Sequence, residues 1–219
     1  MKNIKILVAC EESGEVRDAF RALGFEAWSC DMADSRTPSE FHIKRDVMEV
    51  LAEGWDCLIG FPPCTYIANS SVQWLTNIPK NPNPKILYGP PRVEAMKHGA
   101  SFFLALWNCG IKHVVLENPI MHGRAKSIIG IEPAQIIQPY MFGHGETKQT
   151  CFWLKNLPPL MATHAPDDMF ALPEPKEREA KVFNMSPGPN RARDRSKTYT
   201  GVAAAMAAQW GDYLRKIYA

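Results

Sequence analysis

The chain has 219 residues, with 25 Lys+Arg against 23 Asp+Glu and a formal net charge of +2. Apolar residues make up 46% and charged residues 22%, which excludes wholesale disorder and collagen-like structure. No apolar run approaches the roughly 20 residues that a bilayer-spanning helix needs, so no membrane partner is expected. The first strand-like run starts close to Met1, so the reading expects no signal peptide and a cytoplasmic protein.

In chain order, residues 4–10 read as a buried strand, followed by a polar turn with Ser13 and Gly14. Val16, Ala19, Phe20 and Leu23 recur at helical spacing, and Gly24 is a natural stop. Residues 25–30 read as a second strand ending at Asp31, which completes a β-α-β unit with parallel strands. A weaker third strand near 41–43 runs toward Asp46, and a short helix over 47–53 follows. Trp55 to Gly60 reads as the fourth strand. A helix built on Val93, Met96, Ala100, Phe103, Leu104 and Trp107 ends at Gly110. Lys112 to Leu116 reads as the fifth strand, ending at Glu117. Strands are expected over 134–138 and 150–154, and a last helix from about Gly201 to Ile217 turns Val202, Met206, Trp210, Tyr213 and Ile217 inward.

The alternation of strands and helices predicts a doubly wound, mostly parallel α/β sheet, with ligands bound beyond the carboxyl ends of the strands. Two proline-rich stretches, 77–91 and 156–197, read as long loops over one rim. The six cysteines, Cys10, Cys30, Cys57, Cys64, Cys109 and Cys151, form no Cys-x-x-Cys pair and read as reduced thiols. The six histidines have no metal-ligand spacing, so no metal site is expected.

Chemistry concentrates at the strand ends. In Gly60-Phe61-Pro62-Pro63-Cys64-Thr65-Tyr66, two prolines hold a cysteine on a stiff backbone just past a strand. Such a thiol is either a packed core group or a nucleophile, and the second role needs a positive neighbourhood to raise its thiolate fraction. Glu117, in Val114-Val115-Leu116-Glu117-Asn118-Pro119, is either a solvated strand-end carboxylate or an acid/base that can hold a ring edge. A carboxylate at Asp31 can accept the hydroxyls of a ribose, and one at Asp46 an adenine amino group. Each is equally a helix cap or turn residue. The first turn, Cys10-Glu11-Glu12-Ser13-Gly14, lacks Gly-x-Gly-x-x-Gly, and its two glutamates oppose a pyrophosphate.

Together these pieces resemble the DNA cytosine-5 methyltransferases, in particular short phage-type members. Gly60-Phe61-Pro62-Pro63-Cys64 resembles the Pro-Cys nucleophile motif, and Glu117-Asn118-Pro119 the Glu-Asn-Val motif. Arg195 to Ala203 resembles the closing motif beside the cofactor, and Gly145 to Thr150 takes the place of Gln-x-Arg-x-Arg. The chain departs from the pattern in its first turn, at Thr65 where glutamine is usual, and at Pro119 in place of valine. Its segment from Lys155 to Arg191 is far shorter than the family's target-recognition domain.

The resemblance implies a Rossmann-like methyltransferase domain over 1–155 and 198–219, with 156–197 as a Pro-rich, basic insertion. It implies Cys64 and Glu117 as catalytic residues and S-adenosyl-L-methionine as cofactor. That cofactor would be held by Cys10, Glu11, Ser13, Gly14, Asp31, Met32, Asp46, Val47, Pro62, Gly201 and Val202. DNA is the implied partner, met by Pro63, Asn118, Lys148, Arg191, Arg193 and Arg195, with a homodimer or partner protein supplying specificity. Tyr66, Asn69 and Trp74 are candidates for filling the gap left by a flipped base. RNA or a cytosine nucleotide as substrate, and a non-catalytic methylase-like binding module, are the alternatives. For a phage-encoded chain the location would be the host cytoplasm.

Overall fold

The computed structural model describes residues 2–164, 179–180, 184–186 and 191–219, with only the backbone described for 191–193. The strands are β1 (Lys5–Ala9), β2 (Glu26–Asp31), β3 (His42–Lys44), β4 (Cys57–Gly60), β5 (His113–Asn118), β6 (Gln135–Ile137) and β7 (Thr150–Lys155). Among the described residues they form one seven-stranded sheet in the order β3-β2-β1-β4-β5-β7-β6. The first five strands pair in parallel, whereas β7 runs antiparallel to both β5 and β6. This is the doubly wound, mostly parallel sheet expected from the sequence. The strand order reverses between β1 and β4, so a crevice is expected at their carboxyl ends.

The helices are α1 (Glu15–Ala22), α2 (Val47–Val50), α3 (Gly89–Trp107), α4 (Gly123–Ile129), α5 (Arg191–Ser196) and α6 (Thr200–Tyr218). Parallel strands are buried on both faces, which is why they read as continuous apolar runs. Ile6, Val8, Ile59, Val115 and Phe152 point to one face and pack with Val16 and Phe20 of α1 and with Val202, Met206 and Trp210 of α6. Leu7, Leu58, Val114, Leu116 and Trp153 point to the other, against Met96, Phe103 and Leu106 of α3 and Ala125 of α4. Burying each large apolar side chain contributes about 1.5–3 kcal/mol. Trp210, fully buried, also satisfies its indole by donating to the Pro158 carbonyl at 2.9 Å.

The structure moves several boundaries. Helix α3 starts at Gly89, so Pro90 and Pro91 sit in its first turn and not in the preceding loop. Proline is tolerated there because those amides lack helical partners anyway. Strand β5 runs through Asn118, because β7 pairs with Glu117 and Asn118. Helix α4 was not expected from the sequence. In α6, Leu214 is buried while Ile217 is 40% exposed, so Ile217 does not face inward. Of the expected 156–197 loop, residues 191–196 are helical, and 165–178, 181–183 and 187–190 lie outside the described residues. Among the described residues, no helix is long and apolar enough to cross a membrane.

Candidate active site

The segment that carries Cys64 begins where β4 ends. Gly60 lets β4 approach β5, since a Cβ there would lie 2.6 Å from Leu116 Cδ2. The amide of Phe61 donates to Ala9 O at 2.9 Å, which carries the β1–β4 ladder one step further. Pro62 is buried, Pro63 exposed and Cys64 half-buried. The Cys64 carbonyl then accepts from the amides of Ile67 and Ala68 at 3.1 and 2.9 Å, closing a turn just after the thiol. Cys64 is therefore a rim residue and not a core thiol.

On β5, Glu117 pairs with Phe152 and Asn118 with Cys151. Asn118 is fully buried, and its Nδ2 donates to Pro62 O at 2.8 Å. Glu117 is half-buried on the same rim. Burial pushes the Cys64 thiol up, the Glu117 carboxylate adds to that, and Lys148 and Arg195 pull it down. Burial likewise raises Glu117, with Lys148 opposing. Thiol, carboxyl and ammonium thus form one coupled electrostatic group.

Glu117 and Lys148, but not Cys64, line a pocket of about 350 Å³, counted out to its open mouth. Phe61, Glu117, Lys148, Thr150 and Tyr199 contribute to its wall, with Val202 and Met206 from α6. Lys148 Nζ donates to the Arg195 carbonyl at 3.0 Å, which joins the segment before β7 to the end of α5. Tyr199 donates to Glu146 at 2.5 Å. Tyr199, Thr198 and Ser196 line this pocket without having been singled out in the sequence. Their cue was their place inside the closing motif.

The expected cofactor residues divide into two groups. Cys10 follows β1 with a left-handed φ of 58°, a conformation that is uncommon for a residue with a side chain. Asp31 and Asp46 both bear on its thiol and, with burial as the larger cause, raise it. The carboxyl ends of β1, β2 and β3 therefore meet at one acidic rim. Asp31 caps its own turn by accepting from the Ala33 amide at 2.8 Å, and Met32 beside it is 70% exposed. Asp46 caps α2 by accepting from the Met48 amide at 3.0 Å, and Val47 is buried.

Glu11 is buried and turned inward, accepting from the amides of Val16 at 2.8 Å and Arg17 at 3.3 Å and from Ser13 Oγ at 3.1 Å. Burial, outweighing those bonds, pushes its carboxyl up to about 7. Gly14 precedes α1 with φ 78°, packed on the Arg17 guanidinium.

The second group comes from the start of α6. Gly201 donates from its amide to His144 Nε2 at 3.0 Å and packs on the Phe142 carbonyl. Val202 faces the pocket that Glu117 lines. Among the substrate candidates, Lys148 and Arg195 are part of the thiol–carboxyl group. The side chains of Arg191 and Arg193 lie outside the described residues. Tyr66 is half-buried beneath the Arg92 guanidinium at 5.0 Å, Trp74 packs edge-on against Tyr88 at 5.4 Å, and Asn69 is exposed.

No family model matches the chain, and no curated protein matches it. Among solved structures, the chain is similar to the Entamoeba histolytica methyltransferase EhMeth at 14% identity and a TM-score of 0.42. That match covers 73% of this chain and 55% of the other. It is also similar to a mutant of Spodoptera frugiperda DNMT2 at 14% identity and a TM-score of 0.38, covering 80% of this chain and 56% of the other. The chain thus spans a little over half the length of either protein it resembles.

Proposed function

We propose that the chain transfers a methyl group to C5 of cytosine in DNA through a covalent adduct on Cys64, with S-adenosylmethionine as methyl donor. One observation carries this reading. A half-buried thiol just past β4 and a half-buried carboxyl on the adjacent parallel β5 bear on each other's charge, and the carboxyl lines a pocket open to the rim.

The acidic rim suits the donor: Asp31 and Asp46 converge beside Cys10, complementing a cationic sulfonium and a ribose. When bound, S-adenosylmethionine would supply an electrophilic methyl group to C5, its S–CH3 bond breaking to leave S-adenosylhomocysteine. The chain's own residues do the rest. Cys64 Sγ, as thiolate, forms a bond to C6. Glu117, with its raised affinity for a proton, protonates or holds N3 and so stabilises the charge that develops in the ring. Lys148 and Arg195 favour the thiolate. Loss of the C5 proton to solvent water then expels the Cys64 thiolate and restores the C5–C6 double bond. In duplex DNA the base must first leave the stack. Residues 1–155 and 198–219 form the methyltransferase unit in this reading. The 156–197 insertion serves as a reduced recognition region, supplemented by a second copy or a partner.

Mass spectrometry of nucleosides from DNA incubated with protein and S-adenosylmethionine is expected to show 5-methyldeoxycytidine. DNA carrying 5-fluorocytosine is expected to trap a Cys64 adduct, because C5 then has no proton to lose. RNA and dCMP run as competitors separate the substrate classes. No methylated product and no adduct with any of the three would overturn the proposal.

A further inference from the structure

The segment that carries Cys64 has carbonyls held by buried side chains from distant elements. Beyond the Asn118–Pro62 bond, Arg92 Nη2 donates to Thr65 O at 3.0 Å. His122 Nε2 lies 3.1 Å from Tyr66 O, and the His122 amide donates to Ile67 O at 3.1 Å. His122 Nδ1 accepts from the Ala125 amide at 3.2 Å as the cap of α4, so its proton is on Nε2 and is donated to Tyr66 O. Arg92 and His122 are 3% and 2% exposed.

Arg92 is unusual among buried cations. Among the described residues its partners are neutral: the second is Leu87 O, from Nη1 at 3.1 Å, and its Nε has no hydrogen-bond partner. The sequence contains no Asp or Glu from Cys57 to Val93. Burying a guanidinium without a carboxylate is costly, and an apolar side chain of similar volume often stabilises more. A residue kept for packing alone would not be arginine. What the guanidinium does is fork between two loops, one of them the turn directly after Cys64.

We infer that Arg92 and His122 are positioning residues that clamp the turn after Cys64 and so fix its thiol relative to Glu117. The inference rests on Cys64 as the nucleophile of the function proposed above. Arg92→Met keeps the apolar stem and removes both hydrogen bonds; Arg92→Lys retains the charge and reaches one carbonyl.

In Arg92→Met, trapping of 5-fluorocytosine DNA is expected to fall about 10- to 100-fold, the penalty for a displaced reacting group. KM is expected to change little, and Arg92→Lys to recover part of the rate. Site-resolved iodoacetamide labelling, with Cys109 as internal control, is expected to show a displaced pH–rate profile for Cys64 alone. Native-rate trapping by Arg92→Met overturns the clamp. If that variant does not fold, native-rate trapping by Arg92→Lys overturns it equally. If the wild-type chain traps no DNA at all, the proposed function fails and the labelling decides the clamp: a Cys64 profile unchanged in the variants ends it.

Discussion

Asn118 Nδ2 donates to the Pro62 carbonyl at 2.8 Å, and this bond ties the end of β5 to the backbone two residues before Cys64. Asn118→Leu removes the donor and leaves a buried carbonyl unsatisfied. The expected loss is about 1–3 kcal/mol in urea unfolding, together with slower adduct formation. A stability equal to wild type would show that the link carries no energy.

Glu117 raises the Cys64 thiol, so the two groups oppose each other's ionisation. In Glu117→Gln the carboxylate charge is gone, and Cys64 is expected to be alkylated faster than in wild type near neutral pH. Methyl transfer is expected to fall by about 10²- to 10⁴-fold, the range for loss of a general acid. Lys148→Met should act in the opposite sense on the thiol, slowing alkylation, because Lys148 lowers it. Site-resolved labelling across pH checks both signs.

Glu11 makes stability depend on pH. Its carboxyl is raised in the folded state to about 7 from an ordinary value of 4.5. Between those values the folded chain holds a proton that the unfolded chain has released. Stability from this group is therefore fully present below about 4.5 and is lost as pH rises through about 7, by about 3 kcal/mol in all. Glu11→Gln should flatten that slope in denaturant titrations at a series of pH values.

Gly201 has no room for a side chain. A Cβ there would stand 2.0 Å from Phe142 O and 2.9 Å from His144 Nε2. The carbonyl belongs to backbone and cannot swing away as a flexible side chain would. Gly201→Ala is expected to cost about 3 kcal/mol or more, as overpacking does at rigid sites, and to show as a lower melting temperature.

The parallel half of the sheet was legible because its strands are short, largely apolar runs with clear ends: Ala9 before Cys10, Gly60 before the two prolines, and Glu26–Asp31 at its own aspartate. Those ends form the rim, so the placement there of Cys64, Asp31 and Asp46 was legible from local pattern alone. Glu117 was placed one step outside its strand because the partner that extends β5 is Phe152, 35 positions away. Nothing local announces such a pairing. Arg92 was missed for a similar reason. It reads as the start of a helix after Pro90 and Pro91, whereas its hydrogen bond to Thr65 spans 27 residues. The histidine cap of α4 was missed because the helix it starts is only seven residues long.

The reversal of β7 decides where Lys148 is delivered. The parallel strands offer this rim their last residues and those that follow them, among them Cys10, Asp31, Asp46, Cys64 and Glu117. A β7 laid parallel to β5 would carry its leading residues to the far side of the molecule. Because β7 descends instead, the residues just ahead of Thr150 arrive beside Glu117. One inverted strand thus lets a chain segment entering the sheet, and not leaving it, bring a cation to the carboxyl ends of the parallel strands.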